Sequence, residues 1–506
     1  MTGLPERLAR LAAEQPGRRA LESATECLSY RQLWTEVTAL AARLQAQDGQ
    51  RLGLAGDNSV NWVLADLACR LAGRVCVPIP GFFSSAQRQH LVVSAGLDAI
   101  LQVADTGSGQ PLRAGLWLQP VAKTGEPQAM PVGTGKVTFT SGSTGQPKGV
   151  CLAHQQLDAT VAALARRLEG VALSRHLCVL PLATLLENIA GVYLPLSLGA
   201  TVVLRPLAEL GFHGSSALDT AQLVAALAAE RPDSLILVPE LAMVIVQAVA
   251  EGQLDPECFR FLAVGGGRVA PELIRRARAL SVPLYQGYGL SECGSVVALN
   301  VPGDDHLERV GRPLDHLSVS IRETGEILVQ GQAYLGYLGE PANRCGEVAT
   351  GDLGALDQDG FLSVSGRQKN LIITSFGRNI SPEWLESELL QTLAVRQALV
   401  FGDGEPQPSA LLVPRPEQTP EAIREAAQRL NARLPDYARL RCLYLLPWSL
   451  TTDQGHITAN GRLVRQRLLA DLPTLLAPAA RVLLVAPASS FTPDGEPSAG
   501  LSILSE

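Results

Sequence analysis

The chain has 506 residues, too many for one ordinary core, so two or more domains are expected. Its 46% hydrophobic and 18% charged residues are the composition of a folded globular protein. With 49 acidic against 42 basic side chains, a formal net charge of -7, it is not a nucleic-acid binder working through a basic face.

At the N-terminus, MTGLPERLARLAAEQPG places Leu4, Leu8 and Leu11 at helical spacing but carries no apolar core of a signal peptide. The longest apolar stretch, from Leu235, is interrupted by Pro239 and Glu240 and is too short to span a bilayer. The nine cysteines show no CxxC spacing, so neither a zinc site nor a redox dithiol is indicated. Free thiols point to a reducing, cytoplasmic setting. Only four lysines are present (Lys123, Lys136, Lys148, Lys369); all other strongly basic residues are arginine.

In chain order, YRQLWTEVTALAARLQAQ is an amphipathic helix, RLGLAG a short strand, NWVLADLACRLAG a second helix and VCVPIP a buried strand. The same alternation returns at HLCVLPL, ATVVLRPL and DSLILVPE, which predicts a layered α/β domain. Around residues 300–365 short alternating strands with Gly and Asp turns predict antiparallel hairpins. Helix and strand alternate again from SPEWLESELLQTL, with a clear helix from Glu421 to Leu434. The expected organisation is a large N-terminal domain over residues 1–368, with layered α/β subdomains and a small β-rich one. A small mobile α+β C-terminal domain over 369–487 and a flexible tail over 488–506 follow.

One stretch stands out. TFTSGSTGQPKGV, from Thr138 to Val150, fails the Walker fingerprint because Lys148 lies between Pro147 and Gly149. It still has the parts of an anion cradle: the hydroxyls of Thr140, Ser141, Ser143 and Thr144, the permissive Gly142 and Gly145, and the charge of Lys148. A preceding strand, KVTFT, and a following helix, AHQQLDATVAALARRL, are expected to flank it. Taken alone, it could equally be a Gly/Ser surface loop.

Together with YGLSECG, TGDLGALDQDGF, GRQKNLIITSFGRNISPEWLE and TANGRLVRQRL, in that order, the loop resembles the adenylate-forming enzyme superfamily, whose members include acyl-CoA synthetases. The resemblance runs from about Leu28 to Arg467. It implies that a carboxylic acid is joined to the α-phosphate of ATP, with release of pyrophosphate, and then passed to a thiol. Both reactants are anionic, so such chemistry relies on charge neutralisation and positioning.

By that resemblance, Thr140 to Lys148 wrap the β- and γ-phosphates, with Thr144 and Lys148 in the catalytic set. Tyr288 stacks on adenine, with Gly289 beside it; Ser291 faces the α-phosphate and Glu292 holds Mg²⁺. The turn Gly265, Gly266 and Gly267 walls the meeting point of adenine and acyl group, and Asp352 and Arg367 receive the ribose. Lys369 is the hinge, and Gly377, Arg378 and Asn379 line the CoA pantetheine tunnel. Singly, each has a plainer reading, such as a surface carboxylate or a tight turn; their joint order favours the site.

Two positions depart from the family pattern. By the resemblance, Arg462 stands where the family carries the lysine that bridges carboxylate and α-phosphate; either the chain's arginine bias has taken this position with activity left adequate, or adenylation is slower with thiol transfer intact. In PLATLLEN, Thr184 replaces a histidine of long-chain acyl-CoA synthetases, three places before Glu187; both are assigned to the acyl pocket or its entrance, with helix packing the equal alternative for Thr184. The FD signature of amino-acid-activating relatives is missing from RPLAELGFHGSSALD, which favours an acid without an amine. RQKNLIITSFGRNISPEWLE resembles long-chain fatty acyl-CoA synthetases, so a fatty acid is the expected substrate, with medium-chain and aryl acids as alternatives. The thiol acceptor is expected to be CoA. Transfer to a carrier protein, and a non-catalytic nucleotide-binding relative, are the rival readings.

Overall fold

The computed structural model describes residues 3–104, 108–123, 125–140, 147–213, 217–343, 345–392, 394–458 and 462–484. The expected tail lies outside them. Packing divides the chain into two compact units, Met1–Leu371 with Leu450–Leu468 and Ile372–Ser449 with Leu469–Glu506. No helix among the described residues is long and apolar enough to cross a membrane, and all nine cysteines are free thiols.

Among the described residues the larger unit holds three large sheets and a two-stranded ribbon, Phe212–His213 with Ala217–Leu218. The first runs Gly336–Tyr337, Lys148–Leu152, Lys136–Thr140, Val75–Ile79, Arg51–Ala55, Ala99–Val103, Leu116–Pro120 and Gln110–Arg113 from edge to edge. Its centre is parallel, with Leu52 opposite both Cys76 and Ala99. The crossover helix Val60–Leu71 starts where the Ser59 side chain accepts the Trp62 amide, satisfying one of the orphaned donors of the first turn.

In the second sheet, Thr201–Val203, Arg175–Leu177, Ser234–Leu237, Phe261–Val264 and Leu284–Tyr288 lie side by side and parallel. Ser234–Leu237 is buried along its whole length, as strands covered on both faces must be. In open sheets of this kind ligands gather at the carboxyl ends of the strands. Here those ends run into Pro239, the Gly265–Gly267 turn and Gly289. The third sheet, Leu317–Ile321, Glu326–Gly331, Glu347–Leu356 and Leu362–Arg367, is antiparallel, as the turn pattern predicts.

A buried ionic knot ties the first sheet to its helices. Lys136, 1% exposed, donates to Asp66 at 2.7 Å, Asn188 at 2.5 Å and Tyr193 at 3.2 Å. Asn188 and Tyr193 also donate to Asp66, so the pair is well satisfied by hydrogen bonds.

In the smaller unit, Val395–Phe401, Ser409–Pro414, Cys442–Leu445 and Ala480–Leu483 form one sheet. Leu385 and Leu389 from helix Pro382–Gln391, and Ile423 and Leu430 from helix Pro420–Asn431, share its core with Val400 and Leu412.

The structure departs from the sequence reading at the Gly/Ser loop. Lys148–Leu152 is a strand, paired antiparallel with Lys136–Thr140 so that Thr140 faces Lys148; the helix begins only at His154. The elements that flank the stretch are thus two paired strands, not a strand and a helix. Five residues of KGVCL are too short a run to carry a strand period next to so many glycines.

Candidate active site

Tyr288 ends a parallel strand of the second sheet, and Asp352 lies in the third. The Tyr288 hydroxyl donates to Asp352 Oδ2 at 2.7 Å, while Arg367, opposite Asp352 across the strand pair, holds Oδ1 at 2.7 Å. Asp352 is 5% exposed. Burial pushes the Tyr288 hydroxyl far above its ordinary range, and the Asp352 charge adds to this, so Tyr288 stays a donor. Arg367 also edges a cavity of about 470 Å³ lined by Glu326, Thr350, Gly351 and Lys369.

Beyond Tyr288 the chain turns sharply. A Cβ on Gly289 would collide with the Ser295 carbonyl, so glycine is needed there. Ser295 itself holds φ at +86°, an uncommon conformation for a residue with a side chain. Between them the single turn Ser291–Cys293 presents Glu292. Its carboxylate accepts the Tyr337 hydroxyl at 2.7 Å, and its backbone carbonyl accepts the Tyr334 amide at 2.6 Å. A carboxylate oxygen held in place is a suitable hard donor for a magnesium ion shared with phosphates.

Lys148, at the mouth of the hairpin, pairs with Glu340 at 3.0 Å and sits 5.1 Å above the Tyr337 ring. Tyr337 therefore touches both Lys148 and Glu292. It is placed there by the edge strand Gly336–Tyr337, which pairs with Val150 and Cys151. Thr140 is described; Ser141, Gly142, Ser143, Thr144 and Gly145 lie outside the described residues.

The Gly265–Gly267 turn follows strand Phe261–Val264. Gly266 adopts φ +75°, and the Arg462 guanidinium donates to its carbonyl. Arg268 donates to the Ser365 carbonyl at 2.8 Å, fastening the turn to the strand that ends in Arg367.

In the smaller unit, Gly377, at φ +72°, and Arg378 form a tight turn before Asn379, with strand Ile372–Ile373 pairing Asn379–Ile380. Thr184 bonds back to the Pro181 carbonyl at 2.7 Å. Glu187 is 0% exposed and faces His176 and Cys178 inside the second sheet's cover.

Residues 8–339 match the family model described as AMP-binding enzyme, and residues 369–475 match the AMP-binding enzyme C-terminal domain. The chain belongs to the AMP-binding enzyme family. It is 25% identical to a long-chain-fatty-acid–CoA ligase of Mycobacterium bovis, across 87% of this chain and 91% of that one. It is 28% identical to the 2-succinylbenzoate–CoA ligase of Bacillus velezensis, across 82% and 88%. Among solved structures, the o-succinylbenzoate CoA synthetase of Bacillus subtilis in complex with its acyl-adenylate intermediate shares the fold. The TM-score is 0.74 at 23% identity, covering 92% of this chain and 98% of that one.

In this AMP-binding enzyme, sequence reasoning missed Tyr337, Glu340, Arg268 and the strained Ser295. A Tyr and a Glu in QAYLGYLGEP look like ordinary surface residues until the edge strand brings them to Lys148 and Glu292. Arg268, next to the triple glycine, was the readable signal that went unused.

Proposed function

We propose that this AMP-binding enzyme is an AMP-forming acid–thiol ligase that activates a carboxylic acid with ATP and transfers the acyl group to CoA. In the first half-reaction a carboxylate oxygen attacks the α-phosphorus, and the bond from that phosphorus to pyrophosphate breaks. In the second, the CoA sulfur attacks the acyl carbon, the bond to AMP breaks, and the thiol proton is released.

The observation that carries this reading is Asp352. It is a buried carboxylate with one oxygen on Tyr288 and the other on Arg367. A carboxylate oxygen can accept more than one hydrogen bond, which suits the ribose hydroxyls assigned to it. Around it, Arg462 at the Gly266 carbonyl is assigned to the carboxylate and α-phosphate, and Ser291 to the α-phosphate. Lys148 and the Thr140–Gly145 loop are assigned to the outer phosphates, and Glu292 to the magnesium ion that accompanies ATP. Lys369 is assigned as the hinge, and Gly377, Arg378 and Asn379 to the pantetheine arm. The domain boundaries proposed are 1–368 and 369–487.

For the acid, a medium- or long-chain fatty acid is our reading, supported by the RQKNLIITSFGRNISPEWLE resemblance and by the missing amine-binding signature. An aryl acid is the second reading, favoured by the identity to 2-succinylbenzoate–CoA ligases. Incubating the full chain with ATP, magnesium, CoA and a panel of fatty and aryl acids, followed by mass spectrometry, tests both. A fatty acyl-CoA product supports the first reading and an aryl-CoA product the second. ATP cleavage with CoA left unmodified would move the acceptor elsewhere.

A further inference from the structure

His176, Cys178 and Glu187 form a cluster that the proposed reaction does not use. His176 and Cys178 lie at and just beyond the strand Arg175–Leu177, and Glu187 opens the wide helical turn Glu187–Tyr193. All three are essentially without solvent contact, at 1%, 0% and 0% exposure. One donor atom from each lies within 4.8 Å of the other two. Among the described residues this is the one such grouping of metal-ligating side chains.

One imidazole nitrogen and both carboxylate oxygens are unsatisfied. His176 Nε2 and both Glu187 carboxylate oxygens have no hydrogen-bond partner, and the closest approach between the two residues, 3.7 Å, is too long for a hydrogen bond. The opposite ring nitrogen, His176 Nδ1, is engaged by Ser234 Oγ at 2.9 Å, which orients the imidazole with Nε2 toward Glu187. Cys178 Sγ lies 3.6 Å from the Gly191 carbonyl and also faces the Glu187 carboxylate.

The space between them is kept open. A Cβ on Gly191 would come within 2.8 Å of Glu187 Oε1 and 2.9 Å of His176 Nε2. Three buried groups with lone pairs aimed into a gap that glycine preserves are costly to leave unpaired.

We propose that His176 Nε2, Cys178 Sγ and the Glu187 carboxylate bind a structural divalent metal ion of the zinc class. One nitrogen, one sulfur and two carboxylate oxygens supply the four donors such an ion takes, and a sulfur donor disfavours magnesium and calcium. Binding converts the Cys178 thiol to a thiolate and releases its proton. Thiolate, carboxylate, neutral imidazole and a dication then sum to zero charge, which suits a buried site. Burial otherwise raises the proton affinity of both Cys178 and Glu187. The ion would clamp the strand to the helical turn that follows Thr184. It would enter during folding, since no donor touches solvent. Spacing had argued against zinc because these ligands do not form a CxxC pair; the fold assembles them instead.

The test is metal analysis and zinc X-ray absorption on the full chain expressed in zinc-supplemented medium, washed with chelator. The expected result is about one zinc per chain with one sulfur at about 2.3 Å and nitrogen or oxygen donors at about 2.0–2.1 Å. Folded chain without zinc, or zinc with no sulfur in its shell, overturns the proposal. Cys178→Ser should remove the sulfur distance, and a shell unchanged by that substitution also overturns it. The unsubstituted protein decides the matter alone if the variant does not fold.

Discussion

The hydroxyl of Tyr288 donates to Asp352 across 2.7 Å, joining the carboxyl end of a parallel strand to an inner strand of an antiparallel sheet. This bond and the Arg367 ion pair fix the carboxylate from two sides. Tyr288→Phe removes one of them while keeping the ring. Steady-state kinetics should show the ATP KM rising by about tenfold, the size expected for a hydrogen bond to a charged group, with a smaller change in kcat.

Glu292 accepts the Tyr337 hydroxyl at 2.7 Å, so Tyr337 orients the carboxylate that is proposed to hold magnesium. Groups in this position typically contribute 10- to 100-fold to metal affinity. A magnesium titration of Tyr337→Phe should therefore show a requirement raised by about tenfold, with activity recovered at high magnesium.

Arg462, which by the sequence resemblance stands in place of a family lysine, sits at the Gly266 carbonyl. The planar guanidinium is broader than an ammonium. Pyrophosphate exchange should accelerate in Arg462→Lys and fall by about 100-fold in Arg462→Ala. Thioester formation from preformed acyl-adenylate should change little in either. Exchange unchanged or slowed by lysine would contradict this role.

His154 is mostly buried at the start of its helix, against Gly135. Burial lowers its pKa from 6.5 to about 3, with the charges of Arg70 and Lys136 adding to the effect and Asp66 opposing it. The unfolded chain thus binds the extra proton between those values. The stabilisation is present above pH 6.5 and is lost as pH falls toward 3. Urea unfolding at pH 7 and pH 5 should show His154 costing about 2 kcal/mol on acidification, a loss that His154→Gln removes.

Much of the architecture was legible. Val75–Ile79 and Ser234–Leu237 read as strands because unbroken apolar runs ended by proline leave few alternatives, and Tyr30–Gln45 read as a helix from its period. The antiparallel sheet ending in Arg367 announced itself through its turns. The hairpin strand Lys148–Leu152 did not, since its pairing depends on a partner across the glycine loop. Glu187, which the resemblance to long-chain acyl-CoA synthetases assigns to the acyl pocket or its entrance, has its carboxylate facing His176 in the interior. Spacing places a residue on an element, but a wide helical turn decides where the side chain points. Tyr337 and Glu340 were invisible for a related reason: they lie far along the chain from the residues they hold.

Pyrophosphate exchange into ATP, measured with and without carboxylic acids on the unsubstituted chain and on Asp352→Ala, tests the central claim most directly. The account predicts exchange that depends on the acid, with the ATP KM raised about 10- to 100-fold in the variant. Exchange absent with every acid, or an ATP KM indifferent to the loss of Asp352, would contradict it.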